Sequence, residues 1–232
     1  STVKVAKQPK VMIVSTGNEL VEVSEIPAEH QIRRSNVYTL VSLLEKLNIK
    51  ADTTHILDDK NILETKIASF LNEYDVLLFS GAVSKGKFDF IPEVLNNLGV
   101  EKLFHRVKQK PGKPFWFGKK GNKTVFAFPG NPVSTFVSCL KYFYPWYFKS
   151  VELNFENKQE AILTREFNFK SELTYFLQVK LHQENGKLYA TPIAGKGSGD
   201  LANLVDSDAF LELPDEHSNF TKGQIFPLIT YR

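Results

Sequence analysis

A strand–turn–helix unit recurs along the first part of the chain, and it limits the fold more than any other feature of the sequence. Its clearest copy is Thr124–Ser134, in which a β-branched and aromatic run stops at Pro129-Gly130. Asn131 is a favoured N-cap residue, and Pro132 suits the first helical position because its missing N–H would be unpaired there anyway. The apolar residues that follow recur at helical spacing, and they are Val133, Phe136, Val137, Leu140 and Tyr144. The segment predicts a strand followed by a helix N-terminus that favours an anionic ligand.

Three further segments repeat this construction. A buried strand is predicted over residues 10–15, and two further strands over residues 51–57 and 75–80. Amphipathic helices are predicted to begin near Asn36, Asp59 and Asp89. Strands that alternate with amphipathic helices predict an α/β fold, in which a mainly parallel sheet carries helices on both faces. Because ligands of such sheets bind outside the carboxyl ends of the strands, the loops at those ends form the candidate site.

The pattern changes close to residue 150, where the helical periodicity ends. Alternating segments then predict strands over residues 161–169, 175–182, 187–191, 210–213 and 224–229. Asn185-Gly186 predicts a hairpin turn between two of them. With no strong helical pattern here, a small β-barrel or sandwich is expected. We therefore predict an α/β domain over residues 10–149 and a small β-barrel domain over residues 152–232, in which the glycine-rich segment 195–200 is a mobile loop.

Composition excludes several classes of function. The net charge of +3 is too small to indicate a nucleic-acid partner. The single cysteine, Cys139, excludes a disulfide framework and favours a reducing compartment, and its position within a helical pattern predicts a packed core thiol. No apolar run approaches the length of a membrane span, and the N-terminus has no signal-peptide pattern. We expect a cytoplasmic protein with neither a nucleic-acid nor a membrane partner.

Acidic residues gather in the loops after the predicted strands, and they are Glu19, Asp58, Asp59 and Asp89. Each has a simple structural explanation, since Asp59 and Asp89 are good N-caps worth about 1 kcal/mol each and Glu19 fits an exposed loop. Together, beside helix ends that favour anions, they favour a divalent cation that bridges carboxylates and a phosphate-bearing ligand. Mg²⁺ suits such a site best.

Two lysines occupy a constrained loop, Lys110-Pro-Gly-Lys-Pro114. For Lys110 and Lys113, contact with a phosphate is at least as good an interpretation as a solvated loop. For Lys119, Lys120 and Lys123, a solvated loop face is the better one. The residues alone thus predict a domain that binds an anionic, phosphorylated ligand with a metal, and they leave the substrate open.

Seven short motifs occur in the order found in MoeA-type molybdopterin molybdotransferases, which this chain resembles over almost its whole length. They lie at residues 14–20 (VSTGNEL), 32–36 (IRRSN), 56–59 (ILDD), 80–84 (SGAVS), 88–89 (FD), 110–114 (KPGKP) and 128–134 (FPGNPVS). Residues 197–201 (GSGDL), with Ala209 and Pro214, are similar to the C-terminal β-barrel of that family.

The resemblance implies a function and a set of site residues. It implies a MogA-like molybdopterin-binding domain that takes part in molybdenum cofactor biosynthesis. The reaction of the family is insertion of molybdate into adenylylated molybdopterin, with release of AMP and the help of Mg²⁺. The motifs imply that Glu19, Asp59 and Asp89 are the catalytic and metal-binding residues. The pterin-binding residues predicted from the motif loops are Thr16, Gly17, Ser80, Gly81, Ser84, Lys110, Gly112, Lys113, Pro129, Gly130, Asn131, Pro132 and Ser134.

The chain also departs from the family pattern. Asn18 stands where the family often has Asp, Ala82 where it has Gly, and Lys87 where it has an acidic residue, so two of the three changes make the site less negative. Family members carry two further domains before this point, and the chain resembles their C-terminal part. In the family those domains complete the active site and a homodimer. An adenylyltransferase of the same pathway is a candidate partner.

Two alternative functions remain open at this stage. One is a non-catalytic pterin-binding or protein-scaffolding module, for which the aromatic run 142–148 is the candidate surface, although packing at the domain junction explains that run better. The other is a MogA-type adenylyltransferase, although residues 81–86 (GAVSKG) lack the Gly-Gly-Thr-Gly pattern associated with that activity. We expect the chain by itself to bind pterin and to be incomplete for molybdate insertion.

Overall fold

The chain folds into two compact units, and each is assembled from two stretches of sequence. The computed structural model describes residues 2–3, 5–81, 83, 90–154, 159–170, 172–193 and 197–232. The first unit comprises Ser1–Arg106 and Pro114–Gly130, and the second comprises Val107–Lys113 and Asn131–Arg232. None of the helices in these described ranges combines the length and apolarity that a membrane span requires.

A six-stranded sheet forms the centre of the first unit. The elements up to residue 128 are β1 (Val11–Thr16), β2 (Leu20–Val21), β3 (Ile32–Arg33), α1 (Asn36–Glu45), β4 (Ala51–Ile56), α2 (Lys60–Glu73), β5 (Val76–Ser80), α3 (Ile91–Asn97), β6 (Glu101–His105), β7 (Gln109–Lys110), β8 (Trp116–Lys120) and β9 (Lys123–Phe128). The strand order is β4-β1-β5-β9-β8-β6. The first four strands are parallel, and the pairings of β8 with β9 and with β6 are antiparallel, so the predicted mainly parallel sheet is confirmed.

Helices cover both faces of this sheet. Met12, Val14 and Phe79 point to one face, where they share a buried cluster with apolar residues of α2 and α3. Helix α1 contacts β1 and β4, and its buried residues lie outside that cluster. Because both faces are covered, β1 is buried along its whole length, as the continuous apolar run predicts.

The antiparallel strands β6 and β8 are not predicted by the sequence pattern, and they change the interpretation of three lysines. Lys119 and Lys123 lie on strands and form ion pairs with Glu101 at 3.6 Å and Asp75 at 3.4 Å, respectively. Lys120 ends β8 and donates to the carbonyl oxygen of Leu98 at 2.7 Å. These lysines therefore lie on paired strands and not in a loop, so that part of the expectation is wrong, whereas the exposure of Lys119 and Lys120 agrees with it.

A closed barrel and a long helix make up the second unit. Its elements after β7 are α4 (Pro132–Ser138), a π-helical turn (Cys139–Phe143), α5 (Tyr144–Ser150), β10 (Glu160–Leu163), β11 (Phe167–Asn168), β12 (Thr174–Glu184), β13 (Lys187–Pro192), α6 (Asn203–Asp206), β14 (Ala209–Leu213), β15 (Asn219–Phe220) and β16 (Ile225–Thr230). The order of hydrogen-bonded neighbours in the sheet is β13-β10-β16-β14-β12, and β12 also pairs with β13, which closes the barrel. The predicted small β-barrel is confirmed.

The hairpin between β12 and β13 forms at the predicted position. Asn185 and Gly186 have φ angles of 49° and 75°, and Glu184 pairs with Lys187. Two successive positive φ angles give a turn whose twist matches that of the flanking strands, which explains the preference for Asn-Gly. The predicted strand over residues 161–169 is divided between β10 and β11, and β11 pairs with β15.

The segment Val107–Lys113 belongs to the barrel unit although it lies between strands of the first unit. Strand β7 runs parallel to β12, with Gln109 opposite Thr174 and Lys110 opposite Tyr175, and the amide of Thr174 donates to the carbonyl oxygen of Lys108 at 2.9 Å. The helix from Pro132 also groups with the barrel by its contacts. The domain boundary near residue 150 remains a prediction from sequence.

Candidate functional site

Four parallel strands of the first unit end at the same edge of the sheet. Thr16 at the end of β1 pairs with Ile56 of β4, and Ser80 at the end of β5 pairs with both Ser15 and Phe128. The loops that leave this edge carry a set of residues predicted to bind pterin, which are Thr16, Gly17, Ser80, Gly81, Pro129 and Gly130. The register of the strands therefore brings together residues from three separate motifs.

Backbone contacts join these loops closely. A Cβ atom on Gly81 would lie 3.5 Å from the carbonyl oxygen of Thr16, and one on Gly130 would lie 3.7 Å from the Cα atom of Gly81. The side-chain amide of Asn36 donates to the carbonyl oxygen of Gly130 at 2.7 Å. The backbones of Thr16, Gly81 and Gly130 thus lie close together at this edge, and the two glycines present no side chain there.

The loop after β1 holds Glu19 beside this stretch of backbone. Gly17 has a φ of +132°, a backbone conformation that favours glycine, and a Cβ atom there would lie 2.4 Å from a carboxylate oxygen of the flexible Glu19 side chain. The amide of Ile32 donates to the carbonyl oxygen of Glu19 at 2.8 Å, which fixes the backbone of the loop. The Glu19 side chain is exposed and makes no hydrogen bond or ion pair with a described residue.

Asn18 and Asp58 connect the loops after β1 and β4. The amide of Asp58 donates to Asn18 Oδ1 at 3.0 Å, and the amide of Asn18 donates to Asp58 Oδ2 at 3.4 Å. Asp59 is a helix cap, since its Oδ1 atom accepts from the amides of Asn61 at 2.9 Å and Ile62 at 3.0 Å. The N-cap interpretation of Asp59 is confirmed, and that oxygen is already engaged.

A polar network that sequence reasoning missed lies next to this edge. Ser15 Oγ is 2.9 Å from His55 Nδ1 and accepts a hydrogen bond from Arg34 Nη1 at 3.2 Å. Arg34 also forms an ion pair with Glu22, whose other oxygen accepts from Tyr38 at 3.2 Å. Burial lowers the pKa of His55 and the charge of Arg34 adds to the effect, so the imidazole stays neutral at neutral pH. The hydrogen bond from Arg34 lowers the pKa of Glu22.

Unpartnered buried atoms concentrate in this region. Among the described residues, five buried side-chain polar atoms lack a hydrogen-bond partner, and three of them are Arg34 Nε, Asn36 Oδ1 and His55 Nε2. Buried polar groups in folded proteins are nearly always hydrogen-bonded, to protein, water or ligand. Three such atoms around one edge of the sheet indicate that this edge takes polar partners beyond the described residues.

The predicted metal site is only partly described. Asp89 and Ser84 lie outside the described residues, so the structure does not place them. Elsewhere in the described chain, no three His, Cys, Asp or Glu side chains converge in the manner of a metal site. Mg²⁺ commonly uses one or two protein carboxylates and completes its shell with water and substrate phosphates. Glu19, which is exposed and not hydrogen-bonded, is a carboxylate of that kind.

The other predicted ligand-binding residues lie in the second unit. The ammonium of Lys110 sits over the rings of Phe169 at 4.9 Å and Tyr175 at 5.8 Å. The backbone of Gly112 is buried, whereas Lys113 is exposed and makes no ion pair with a described residue. Of the two lysines, Lys113 is the one whose ammonium makes neither an ion pair nor a ring contact with a described residue.

The N-terminus of helix α4 differs in one respect from the prediction. Asn131 occupies the N-cap position and Pro132 the first turn, as expected, but the Asn131 side chain makes no capping bond. It donates instead to the Ser198 hydroxyl at 2.9 Å, and the amide of Val133 donates to the Ser198 carbonyl oxygen at 3.1 Å. The amide of Val133 is therefore already hydrogen-bonded within the chain, and the expected anionic ligand at this helix end stays a prediction. Ser134, the remaining predicted residue, is buried.

Comparison with known proteins identifies the family. A family model described as a probable molybdopterin binding domain matches residues 12–147, and one described as the MoeA C-terminal region (domain IV) matches residues 160–231. The chain belongs to the MoeA family. The resemblance stated from the motifs is thereby confirmed.

Similar proteins and structures cover this MoeA-family chain almost completely. A molybdopterin molybdenumtransferase of Synechocystis is 42% identical over 236 residues, which cover 99% of this chain and 57% of that protein. The Bacillus subtilis protein of the same name is 29% identical over 241 residues, which cover 100% of this chain and 55% of that protein. The crystal structure of a MoeA protein from Pyrococcus horikoshii superimposes with a TM-score of 0.81 at 28% identity, covering 97% of this chain and 55% of that one. The chain spans about half the length of the relatives it matches.

Proposed function

We propose that this chain binds adenylylated molybdopterin and takes part in molybdate insertion with release of AMP, a step of molybdenum cofactor biosynthesis. The observation that carries the proposal is the meeting of three motif loops at one sheet edge, through contacts among Thr16, Gly81 and Gly130. Relatives named molybdopterin molybdenumtransferase support the activity.

The residues of the first unit have distinct roles in this proposal. The side-chain-free backbone at Gly81 and Gly130 lies against the flat pterin. The orphan polar atoms of Arg34, Asn36 and His55 keep ordered water or ligand groups at the edge. Glu19, Asp59 and Asp89 are the proposed catalytic residues, and Glu19 and Asp89 are the stronger candidates for Mg²⁺ because one oxygen of Asp59 caps α2.

Charge neutralisation is the chemistry that Mg²⁺ would supply, since a bound cation stabilises the phosphate oxygens of the AMP leaving group. Lys113 is the proposed phosphate contact in the second unit, with the turn Pro129, Gly130, Asn131, Pro132 and Ser134 completing the pterin-binding set. A phosphate contact made by a lysine weakens as salt is added, because salt screens exposed charges over about 10 Å at 0.1 M.

Several features of the wider assembly belong to the same proposal. We place residues 10–149 in the molybdopterin-binding domain and residues 152–232 in the barrel domain. The longer protein is proposed to be a homodimer in the cytoplasm, supplied with adenylylated molybdopterin by an adenylyltransferase of the pathway. Catalysis is proposed to need parts of the family fold beyond this chain, because holding reactants in place contributes roughly 7–11 kcal/mol of barrier reduction.

Calorimetric titration of molybdopterin, adenylylated molybdopterin and AMP into the 232-residue chain tests the proposal. We expect binding of both pterins that weakens with salt, and a loss of affinity in Lys113→Ala. Lys187→Ala is the matched control, because Lys187 is an exposed lysine on the barrel hairpin of the same unit. A chain that is folded and binds neither pterin would contradict the proposed function. Rapid AMP release from adenylylated molybdopterin and molybdate by this chain alone would contradict the need for further domains.

A further inference from the structure

A buried glutamine lies beneath the lysine loop, which we define as residues 110–113. Gln109 is only 3% exposed although it lies next to the exposed Lys110. A buried side-chain amide destabilises a fold unless its donors and its acceptor are hydrogen-bonded, so the partners of Gln109 show which groups it holds in place.

The Gln109 amide connects the lysine loop to the helix of the barrel unit. Its Nε2 atom donates to the carbonyl oxygen of Pro111 at 2.9 Å and to Ser138 Oγ at 3.4 Å. Its Oε1 atom accepts a hydrogen bond from the hydroxyl of Tyr142. Burial raises the pKa of Tyr142 to about 12, with the charge of Glu212 adding, so this hydroxyl stays protonated and able to donate.

The loop backbone is pressed directly against these groups. Gly112 has a φ of +95°, and a Cβ atom there would lie 2.8 Å from Gln109 Nε2 and 2.9 Å from Ser138 Oγ. Both of those polar atoms are buried and hydrogen-bonded, so they do not give way freely. Tyr142 belongs to the π-helical turn Cys139–Phe143, and such turns recur at functional sites because they reposition side chains within a helix.

From these contacts we propose that Gln109 is a positioning residue, which holds the lysine loop so that the Lys113 ammonium meets the phosphate of the pterin ligand. The role of Lys113 rests on the function proposed above, whereas the anchoring of the loop by Gln109 does not. Gln109 touches no reacting group, and it acts through the loop backbone at Pro111 and Gly112.

Two variants of Gln109 separate its hydrogen bonds from its volume. Gln109→Glu keeps the size and the acceptor for Tyr142 but removes the donor to Pro111. Gln109→Met keeps the volume and removes all three bonds. Tyr142→Phe is a milder third variant, which keeps the ring and removes the bond to Oε1, and it serves if the first two fold poorly. Ser207→Ala is the matched control, because Ser207 is also buried and bonds to Asn203 and Tyr231 elsewhere in the same unit.

Amide hydrogen exchange of the segment 107–113 is the first measurement, because the amide of Val107 donates to the carbonyl oxygen of Lys113 at 2.9 Å and reports on loop closure. We expect exchange about tenfold faster in both Gln109 variants, with a smaller increase in Tyr142→Phe. Exchange in β14 and β16 should stay at its wild-type rate. Ser207→Ala should leave the segment unchanged. Wild-type exchange rates in folded Gln109→Glu and Gln109→Met overturn the proposal.

Affinity for molybdopterin is the second measurement. We expect the Kd to rise about tenfold in the Gln109 variants and to stay constant in Ser207→Ala. Faster loop exchange with an unchanged Kd overturns the positioning role. If the wild-type chain does not bind molybdopterin, the function proposed above fails, and the exchange rates alone then decide whether Gln109 anchors the loop.

Discussion

Gly112→Ala is the substitution whose effect the structure specifies most fully. Two costs add at this position. The first is conformational, since a residue with a Cβ atom at a φ of +95° is strained by about 1–2 kcal/mol. The second is steric, since the new methyl would lie 2.8 Å from Gln109 Nε2 and 2.9 Å from Ser138 Oγ, and overpacking of a filled site costs about 1–3 kcal/mol. Together they predict a loss of about 2–5 kcal/mol in the free energy of unfolding.

Gly186→Ala is the matched control for the conformational cost alone. Gly186 lies in the same unit at a φ of +75°, and no atom would lie within 4 Å of a Cβ atom there. Its substitution should cost about 1–2 kcal/mol, so the difference between the two variants isolates the overlap with Gln109 and Ser138. Gly112→Ala should also weaken molybdopterin binding, which Gly186→Ala should not do.

Urea unfolding followed by tryptophan fluorescence measures both effects, with Trp146 reporting on the barrel unit. At a slope of about 2 kcal/mol per molar urea, Gly112→Ala should lower the midpoint by about 1–2.5 M and Gly186→Ala by about 0.5–1 M. Shortening Gln109 to Ala removes one of the two clashing atoms, so Gly112→Ala should cost less in that background, by an interaction energy of at least about 0.5 kcal/mol that stays below the full steric cost. Equal midpoints for the two glycine variants, or strict additivity with Gln109→Ala, would refute the reasoning.

Three further predictions follow from the site and the core. Asp59→Ala should destabilise the first unit by about 0.5–2 kcal/mol in urea unfolding, because it removes the cap of α2. Asp59→Asn should cost little, because Asn is as good an N-cap as Asp. A change in Mg²⁺-dependent ligand binding in Asp59→Asn would then assign the carboxylate to the metal rather than to the cap. Burial lowers the pKa of His55 from its ordinary value of 6.5, so the unfolded chain takes up this proton first, and stability should fall as the pH drops through 6.5 toward the lowered value. The urea midpoint of His55→Gln should decline less steeply with falling pH than that of the wild type. An unchanged pH dependence of the midpoint would contradict this assignment. Burial also raises the pKa of the Cys139 thiol, so the folded chain should resist thiol reagents and react with them only in denaturant. Fast labelling of the native chain would contradict this prediction.

Local signals explain why part of the fold is predictable from sequence. The strands β1, β5 and β9 are continuous or nearly continuous apolar runs bounded by turn residues, which is the pattern of a sheet covered on both faces, whereas the edge strand β4 is mostly polar. The cap at Asp59 and the turn at Asn185-Gly186 depend on residues within a few positions of one another. These features were predicted because the interactions that fix them are close in sequence.

Long-range pairing explains what the sequence does not reveal. Strands β6 and β8 form by antiparallel pairing in a lysine-rich stretch that reads locally as a solvated loop. Ser15, Arg34 and His55 come from three elements, and each looks unremarkable alone until the parallel register places them together. Gln109 is a polar residue among lysines, and its burial depends on Thr174 and Ser138, which lie far along the chain.

The motif at residues 110–114 lies largely in a different unit from the one that the sequence predicts. A reading of the sequence puts it in the α/β domain with Thr16, Gly81 and Gly130, yet Val107–Lys113 is paired with β12 and anchored to the helix by Gln109. The position of Lys113 therefore depends on residues of the barrel unit, through the pairing of β7 with β12 and the hydrogen bonds of Gln109. Substitutions at Thr174 that loosen this pairing should speed amide exchange in the segment 107–113, although Thr174 lies far from it in sequence. The conformation of the lysine loop is thus determined by pairing between segments that are distant along the chain, which is why the motif alone does not reveal it.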